Sequence, residues 1–346
     1  MAISKSLLSA WQGGHDDEPR RTDHERVTFL ETFLQRSARG APAASEPQRL
    51  VDLDALDGRY AEINLRFEAD SGILWCHQQH RQRPCFSTGL LKEVVDLQTR
   101  LQRTFAGVER RRLPLRYLVW ASDTPGIYNL GGDLRLFTQL IRAGDGDGLF
   151  AYAKACVDIC YLNSISLDLP ILTVALIQGD ALGGGFEAAL SNDLLVAERG
   201  CQLGLPEVLF NMFPGMGAYS FLCRRLNGAR AKEMILSGRL YAAEELHEMG
   251  LIDLLVPPGE GQAALREHLD RKAHQHGVQS ALASVARRCQ PVAYDELIEV
   301  TEVWVETALA LTEADLRRME RLAAAQERRH ARAALPSAPA AVSVAC

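Results

Sequence analysis

The sequence predicts an α/β fold, and three observations carry the prediction. A nearly continuous apolar run rich in β-branched residues at 171–177 reads as a strand buried on both faces, and the run at 115–121 reads as another buried strand. Glycine-containing turns follow each run and open stretches with helical apolar spacing, so strands and helices alternate along the chain. Of the 346 residues, 47% are hydrophobic, which is ample for a sizeable core.

In chain order, residues 1–21 are polar and expected to be mobile. Thr22 and Glu25 fit a capping box, and Val27, Leu30 and Leu34, flanked by Phe29 and Phe33, give an apolar helical face that stops by Gly40. A linker follows, so residues 1–48 form an N-terminal extension ahead of a core at 49–260. Residues 60–78 read as a hairpin with its turn near Gly72. Ser87 or Thr88 caps a long helix that points Leu90, Leu91, Val94, Val95, Leu97 and Leu101 inward. The basic run from Glu109 to Arg112 is a solvated face; as a sharper reading it is a docking spot for an acidic partner. Helices are expected at 134–142 and 149–167, separated by the glycine-rich 144–148, with Asp133 capping the first. Further helices are expected after Pro214, from Arg230 and from Ala242, then a strand from Leu251. Pro257 marks the boundary to a helical segment at 261–330, with helices at 261–277, 279–289 and 294–328. The small-residue, Pro-rich tail at 331–346 is expected to be disordered.

Composition excludes several classes. A net charge of −6 gives no electrostatic footprint for nucleic acid. Eight cysteines show neither C-x-x-C nor zinc-ligand spacing, so no metal is expected, and reduced thiols suit a cytoplasmic protein. No apolar stretch approaches the length of a membrane span, and the first residues lack the apolar core of a secretory signal.

The chemistry concentrates at 170–217. The strand at 171–177 is followed by Gly179, then by Gly183, Gly184 and Gly185, which open the helix carrying Glu187. Unpaired N–H groups at such a helix start can hold a phosphate or the negative oxygen that develops on a reacting carbonyl. The spacing is not G-x-G-x-x-G and no Gly-Lys-Ser/Thr follows, which leaves the carbonyl. Glu207 comes twenty residues after Glu187, just beyond Leu205 and Pro206. Facing one cavity, the two would form an acid/base pair. The plainer reading makes each a first-turn glutamate that complements a helix dipole.

Three ordered blocks carry a family resemblance: Tyr128-NLGGDL, Ala181-LGGGFEAALSNDLLVAE with Gly204-LPEVLF and Phe213-PGMGA, and Leu240-YAAEELHEMGLIDLLV. They resemble the crotonase (enoyl-CoA hydratase/isomerase) superfamily over roughly residues 60 to 330. Their wording is most similar to the diffusible-signal-factor synthases, which make cis-2-unsaturated fatty acids for quorum sensing.

The resemblance implies a crotonase-like spiral of ββα units with a C-terminal helical segment that mediates trimer contacts, hence a homotrimer. It implies that the N–H groups of Gly132 and Gly184 form an oxyanion hole for a thioester carbonyl. Glu207 would then take the α-proton of a 3-hydroxyacyl group and Glu187 would protonate the departing hydroxyl. Leu136 and Trp304 would line the acyl pocket, although the helical spacing around Leu136 also suits plain core. The branch adds thioester hydrolysis and a sensor histidine kinase as partner. Most hydratases carry an Ala-Leu-Asn-like sequence that helps seat the CoA adenine; here Cys85, Phe86 and Ser87 stand instead, which fits a substrate on acyl carrier protein. No cofactor is implied. The alternatives are an ordinary enoyl-CoA hydratase or isomerase, and a non-catalytic regulatory partner.

Overall fold

The computed structural model describes residues 59–333. The expected helix after Thr22, and most of the tail, lie outside the described residues. Strands β1 (Ile63–Glu68) and β2 (Ile73–Gln78) form the expected hairpin. Helix α1 (Thr88–Phe105) begins at Ser87, whose side chain accepts the Leu90 N–H at 2.9 Å. It buries the expected Leu90, Leu91, Val94, Leu97 and Leu101, with Val95 half-buried.

The rest of the core repeats one movement. A strand in a large sheet is followed by a strand in a small sheet, and then by a helix or turn. The first pass is β3 (Tyr117–Ser122), β4 (Gly126–Asn129), α2 (Leu134–Ala143) and α3 (Gly146–Ser164). The second is β5 (Leu172–Ile177), β6 (Gly179–Leu182) and α4 (Gly184–Leu190). The third is β7 (Leu194–Glu198), β8 (Gln202–Gly204), a 3-10 turn at Pro206–Phe210, α5 (Ala218–Arg225) and α6 (Gly228–Ser237). Then come β9 (Leu240–Ala242), α7 (Ala243–Glu248) and β10 (Leu254–Val256). The large sheet has the order β1-β2-β3-β5-β7-β10 and is parallel apart from β1; the small sheet runs β4-β6-β8-β9 and is parallel apart from β9.

Strand β5 shows why the apolar run is continuous. Ala175 and Ile177 enter the main core, while Leu172, Val174 and Leu176 enter a second cluster with Leu265 and Leu269 of α8 (Gly261–Arg271). Both faces of the strand are covered, so its residues are apolar apart from Thr173, whose buried hydroxyl donates to the Asn163 carbonyl at 3.2 Å.

The structure corrects three sequence expectations. Gly179 and its neighbours form β6 rather than part of a turn. A Cβ on Gly179 would stand 2.1 Å from the Gly126 carbonyl carbon, so this glycine permits close pairing of β6 with β4. Helix α3 starts at Gly146 because Asp145 accepts the Gly148 N–H at 2.8 Å, and it ends at Ser164, before three left-handed residues, Ser166, Leu167 and Asp168. The C-terminal segment holds α8, α9 (His276–Cys289), α10 (Tyr294–Leu309) and α11 (Glu313–Ala333). The expected 294–328 helix is thus broken after Leu309. Thr312 and Asp315 cap α11 reciprocally, a box legible as Thr-x-x-Asp.

Candidate active site

Glycines carry the first wall. Gly183 has φ +51° and ψ −129°, and a side chain there would run into Glu207 Oε1, 2.4 Å from a Cβ. A Cβ on Gly184 would meet the Met216 sulfur at 2.4 Å, and would lie 3.5 Å from the Gly132 amide nitrogen. The two glycine turns, one after β4 and one after β6, therefore come together. Among the described residues neither the Gly132 nor the Gly184 N–H has an intramolecular acceptor. Each peptide is nonetheless pinned from its carbonyl end. Gly131 O accepts the Phe86 N–H at 2.8 Å, and Gly183 O accepts those of Phe186 and Glu187 at 2.9 and 3.0 Å.

Gly132, Gly184, Glu187 and Glu207 all line one small inner cavity of about 50 Å³. Glu187 is 1% exposed, in the first turn of the wholly buried α4, which rules out a solvated first-turn role for it. Its Oε1 accepts the N–H groups of Met216 and Ala218 at 2.8 and 2.9 Å. Burial pushes this carboxyl up to about 7, while those backbone donors pull against the rise. Glu207 lies in the 3-10 turn at Pro206–Phe210; the residue is half-buried, but its Oε2 is enclosed without a partner. Burial, and then the neighbouring Glu187 charge, hold its carboxyl well above the usual range. The pair is therefore arranged to keep Glu207 neutral while Glu187 ionises first.

The remaining wall is apolar. Trp304 of α10 is 7% exposed, stands edge-on to Phe137 with centroids 5.2 Å apart, and lines the inner cavity beside Met216. Leu136 does not line it: Leu134 and Phe137 face the cavity from α2, and Leu136 packs half-buried against the main core. The helical period accounts for this, since one position around α2 turns a side chain away from the cavity. Asp133 caps α2, accepting the Leu136 N–H at 3.1 Å, and pairs with Arg83.

An outer cavity of about 240 Å³ adjoins the same glycines and Glu207. Its far wall is α11, through Leu322, Ala325, Gln326 and Arg329. Gln326 donates to the Leu130 carbonyl at 2.8 Å, Arg135 pairs with Glu327, and Arg329 pairs with Asp180. Sequence reading misses this wall, because α11 reads only as an amphipathic helix. It also misses the Glu187–Met216 contact, which joins residues far apart in the chain. Among the described residues no cluster of His, Cys, Asp and Glu could hold a metal ion, and no helix is long and apolar enough to cross a membrane.

The family model described as enoyl-CoA hydratase/isomerase matches residues 119–330, which include both glycine turns and both glutamates. The chain belongs to this family. Rat (Rattus norvegicus) mitochondrial methylglutaconyl-CoA hydratase is 34% identical over 203 residues, 58% of this chain and 59% of that protein. The chain thus spans about three-fifths of that relative's length. The probable mitochondrial enoyl-CoA hydratase 2 of Arabidopsis thaliana is 26% identical over 290 residues, covering 80% of this chain and 88% of that one. Among solved structures, human mitochondrial delta3-delta2-enoyl-CoA isomerase superposes with a TM-score of 0.63 at 16% identity, over 78% of this chain and 99% of that chain. Pseudomonas aeruginosa DspI gives 0.53 at 21% identity, over 73% and 93%. At these identities the structures establish the fold, the crotonase spiral of the family.

Proposed function

We propose that this protein hydrates 2-enoyl thioesters, and by reversibility dehydrates 3-hydroxyacyl thioesters. One observation carries the reading: two glutamates, Glu187 anchored by two backbone N–H groups and Glu207 with an enclosed, unpartnered oxygen, share an apolar cavity with two unpaired backbone N–H groups. The thioester oxygen accepts from Gly132 and Gly184. The Glu187 carboxylate takes a proton from water as its oxygen attacks C3. The negative charge moves through C2 to the thioester oxygen, where the two donors stabilise it. Neutral Glu207 then gives its proton to C2. One proton enters Glu187 and one leaves Glu207, and a proton passing back between them resets the pair. Donors of this kind are each worth about a hundred- to a thousandfold in rate.

The acyl group in this reading is uncharged. The two glutamates are the only charged side chains lining the inner cavity, among the described residues, and no cation is present there to receive a second carboxylate. The apolar lining of that cavity supports an uncharged acyl group over one with a second carboxylate. The test is hydration of crotonyl-CoA and of a longer 2-enoyl-CoA beside methylglutaconyl-CoA, followed by loss of enoyl-thioester absorbance. Turnover of the uncharged esters supports the reading; turnover of methylglutaconyl-CoA alone, or of none of the three, overturns it.

A second reading runs the same residues toward dehydration and adds hydrolysis, as in a diffusible-signal-factor synthase acting on acyl carrier protein. The segment replacing the expected adenine seat favours it. The N–H groups of Cys85, Phe86 and Ser87 all donate within the chain, to Arg83, Gly131 and Cys85 carbonyls, leaving none for an adenine. Release of a free cis-2-enoic acid from 3-hydroxyacyl carrier protein would establish this reading; its absence, with hydratase turnover present, leaves the first. In either reading we propose a homotrimer formed through the C-terminal helices, supported by the exposed apolar stripe Val278, Leu282 and Val285 on α9.

A further inference from the structure

We propose that Tyr152 is a positioning residue for the oxyanion hole, its hydroxyl completing a strand-like rung that turns the Gly132 amide into the cavity. The inference rests on the proposed hydratase function and goes beyond it in naming what aims one of the two donors.

Phe86 and Gly132 meet as an isolated parallel β-bridge. One rung is ordinary: the Phe86 N–H donates to the Gly131 carbonyl at 2.8 Å. The other rung of such a bridge would run from the Asp133 N–H to the Phe86 carbonyl. In this chain the Tyr152 hydroxyl stands between them. It accepts the Asp133 N–H at 3.0 Å and donates to the Phe86 carbonyl at 2.5 Å. In a parallel bridge, residues alternate in the direction of their amides. With the groups on either side of Gly132 tied to Phe86, directly or through Tyr152, the N–H of Gly132 itself must face away from Phe86. That direction is the inner cavity, where among the described residues it has no acceptor.

The hydroxyl is well placed to hold that geometry rigidly. Tyr152 is 7% exposed and stands edge-on to Phe137, with centroids 5.0 Å apart. Phe137 in turn sits against Gly132, its ring 2.7 Å from where a Cβ would stand. The hydroxyl is therefore fixed by the ring, and the ring by its neighbours. Removing the hydroxyl leaves the Asp133 N–H and the Phe86 carbonyl without a bridge, and lets the Gly131–Gly132–Asp133 backbone rotate. The proton of the hydroxyl is not consumed in any step; it acts on the reaction only through the amide.

The test is Tyr152→Phe, which keeps the ring and its packing. We expect kcat for crotonyl-CoA hydration to fall about tenfold to a hundredfold, part of what loss of a whole donor costs, with KM within about twofold. A bound cinnamoyl thioester gives a readout that mere loss of stability would not move: its absorption shifts to the red as its carbonyl oxygen is polarised. Tyr152→Phe should bind it with unchanged affinity and a diminished red shift. An undiminished shift with unchanged kcat overturns the inference and leaves the proposed function standing. If the unsubstituted protein shows neither hydration nor a red shift, the proposed function falls, and the inference with it. Should the Phe variant fail to fold, site-specific 3-fluorotyrosine at position 152 keeps the hydroxyl while changing its acidity. A red shift altered from that of the parent supports the inference; an identical one overturns it.

Discussion

Glu187 and Glu207 line the same cavity, but only Glu187 is anchored: its Oε1 accepts two backbone N–H groups, from Met216 and Ala218, whereas Glu207 Oε2 is enclosed with no partner. The asymmetry sets a pH dependence. Hydration requires Glu187 ionised, and burial puts its carboxyl at about 7. It requires Glu207 protonated, and that carboxyl is held well above the usual range. A plot of kcat/KM against pH should therefore be bell-shaped, with its acid limb near 7 and its alkaline limb above. The two limbs belong to the pair rather than to either residue alone. A profile still flat down to about pH 5, near the ordinary carboxylate range, contradicts the assignment.

The same shifts tie stability to pH. Both carboxyls hold a proton more tightly in the folded chain than in the unfolded one, where a glutamate titrates near 4.5. The unfolded state thus binds fewer protons through that interval, and stability falls as pH rises from about 4.5 through about 7. Glu207→Gln removes one buried acid and its repulsion of Glu187. Its melting temperature should match the parent near pH 5 and exceed it at about pH 8, above the Glu187 titration. A parent that melts higher than the variant at the alkaline pH would falsify the claim that burial strains this carboxylate.

Substituting either glutamate should stop the chemistry without unfolding the chain. Glu187→Gln and Glu207→Gln keep the side-chain volume but lose general acid–base function, worth about a hundred- to ten-thousandfold. We expect kcat for crotonyl-CoA hydration to fall into that range in both, with circular dichroism unchanged. Retention of more than a tenth of parental kcat by either variant removes that glutamate from the mechanism.

Much of this site is legible in the sequence because its parts are local. Gly183, Gly184 and Glu187 lie together in one strand-turn-helix, and a glycine cluster ahead of a helix has few physical meanings. The buried β5 is equally plain, because both of its faces are covered and its run is nearly all apolar. What escapes is long-range. Leu136 and Phe137 are neighbours with the same helical credentials, and only the face that α2 turns to the cavity decides which one reaches it. Strand β6 hides behind Gly179, since a glycine reads as a turn until the paired backbone of Gly126 is seen against it. The break after Leu309 is masked by an apolar pattern that continues through it, although the Thr312–Asp315 cap is written in the chain.

Trp304 closes the inner cavity, so truncating it should lengthen the acyl groups that fit. Trp304→Ala removes the ring that packs on Phe137 and over Gly215. Opening such a space costs about 3–5 kcal/mol of stability when nothing fills it. The same space should admit additional methylenes. The ratio of kcat/KM for an eight-carbon to a four-carbon enoyl-CoA should rise at least about threefold, since each buried methylene is worth roughly 0.8 kcal/mol. An unchanged ratio in a folded variant places the acyl chain elsewhere.

Gly183→Ala tests the glycine turn rather than its donors. At φ +51° and ψ −129° an L-residue is strained, at a cost of about 1–3 kcal/mol. The added methyl also meets Glu207 Oε1, 2.4 Å from the ideal Cβ position. Relief requires either the Glu207 side chain or the turn itself to move, and each movement separates the proton donor from the Gly184 amide. We therefore expect kcat to fall by about a hundredfold or more, comparable to loss of an oxyanion donor, with a modest drop in melting temperature. The control is Gly200→Ala. That glycine also has positive φ but nothing within 4 Å of its Cβ position, so backbone strain acts there without the clash. Equal losses of activity in the two variants would mean that strain alone is responsible; a loss confined to Gly183→Ala ties the turn to Glu207.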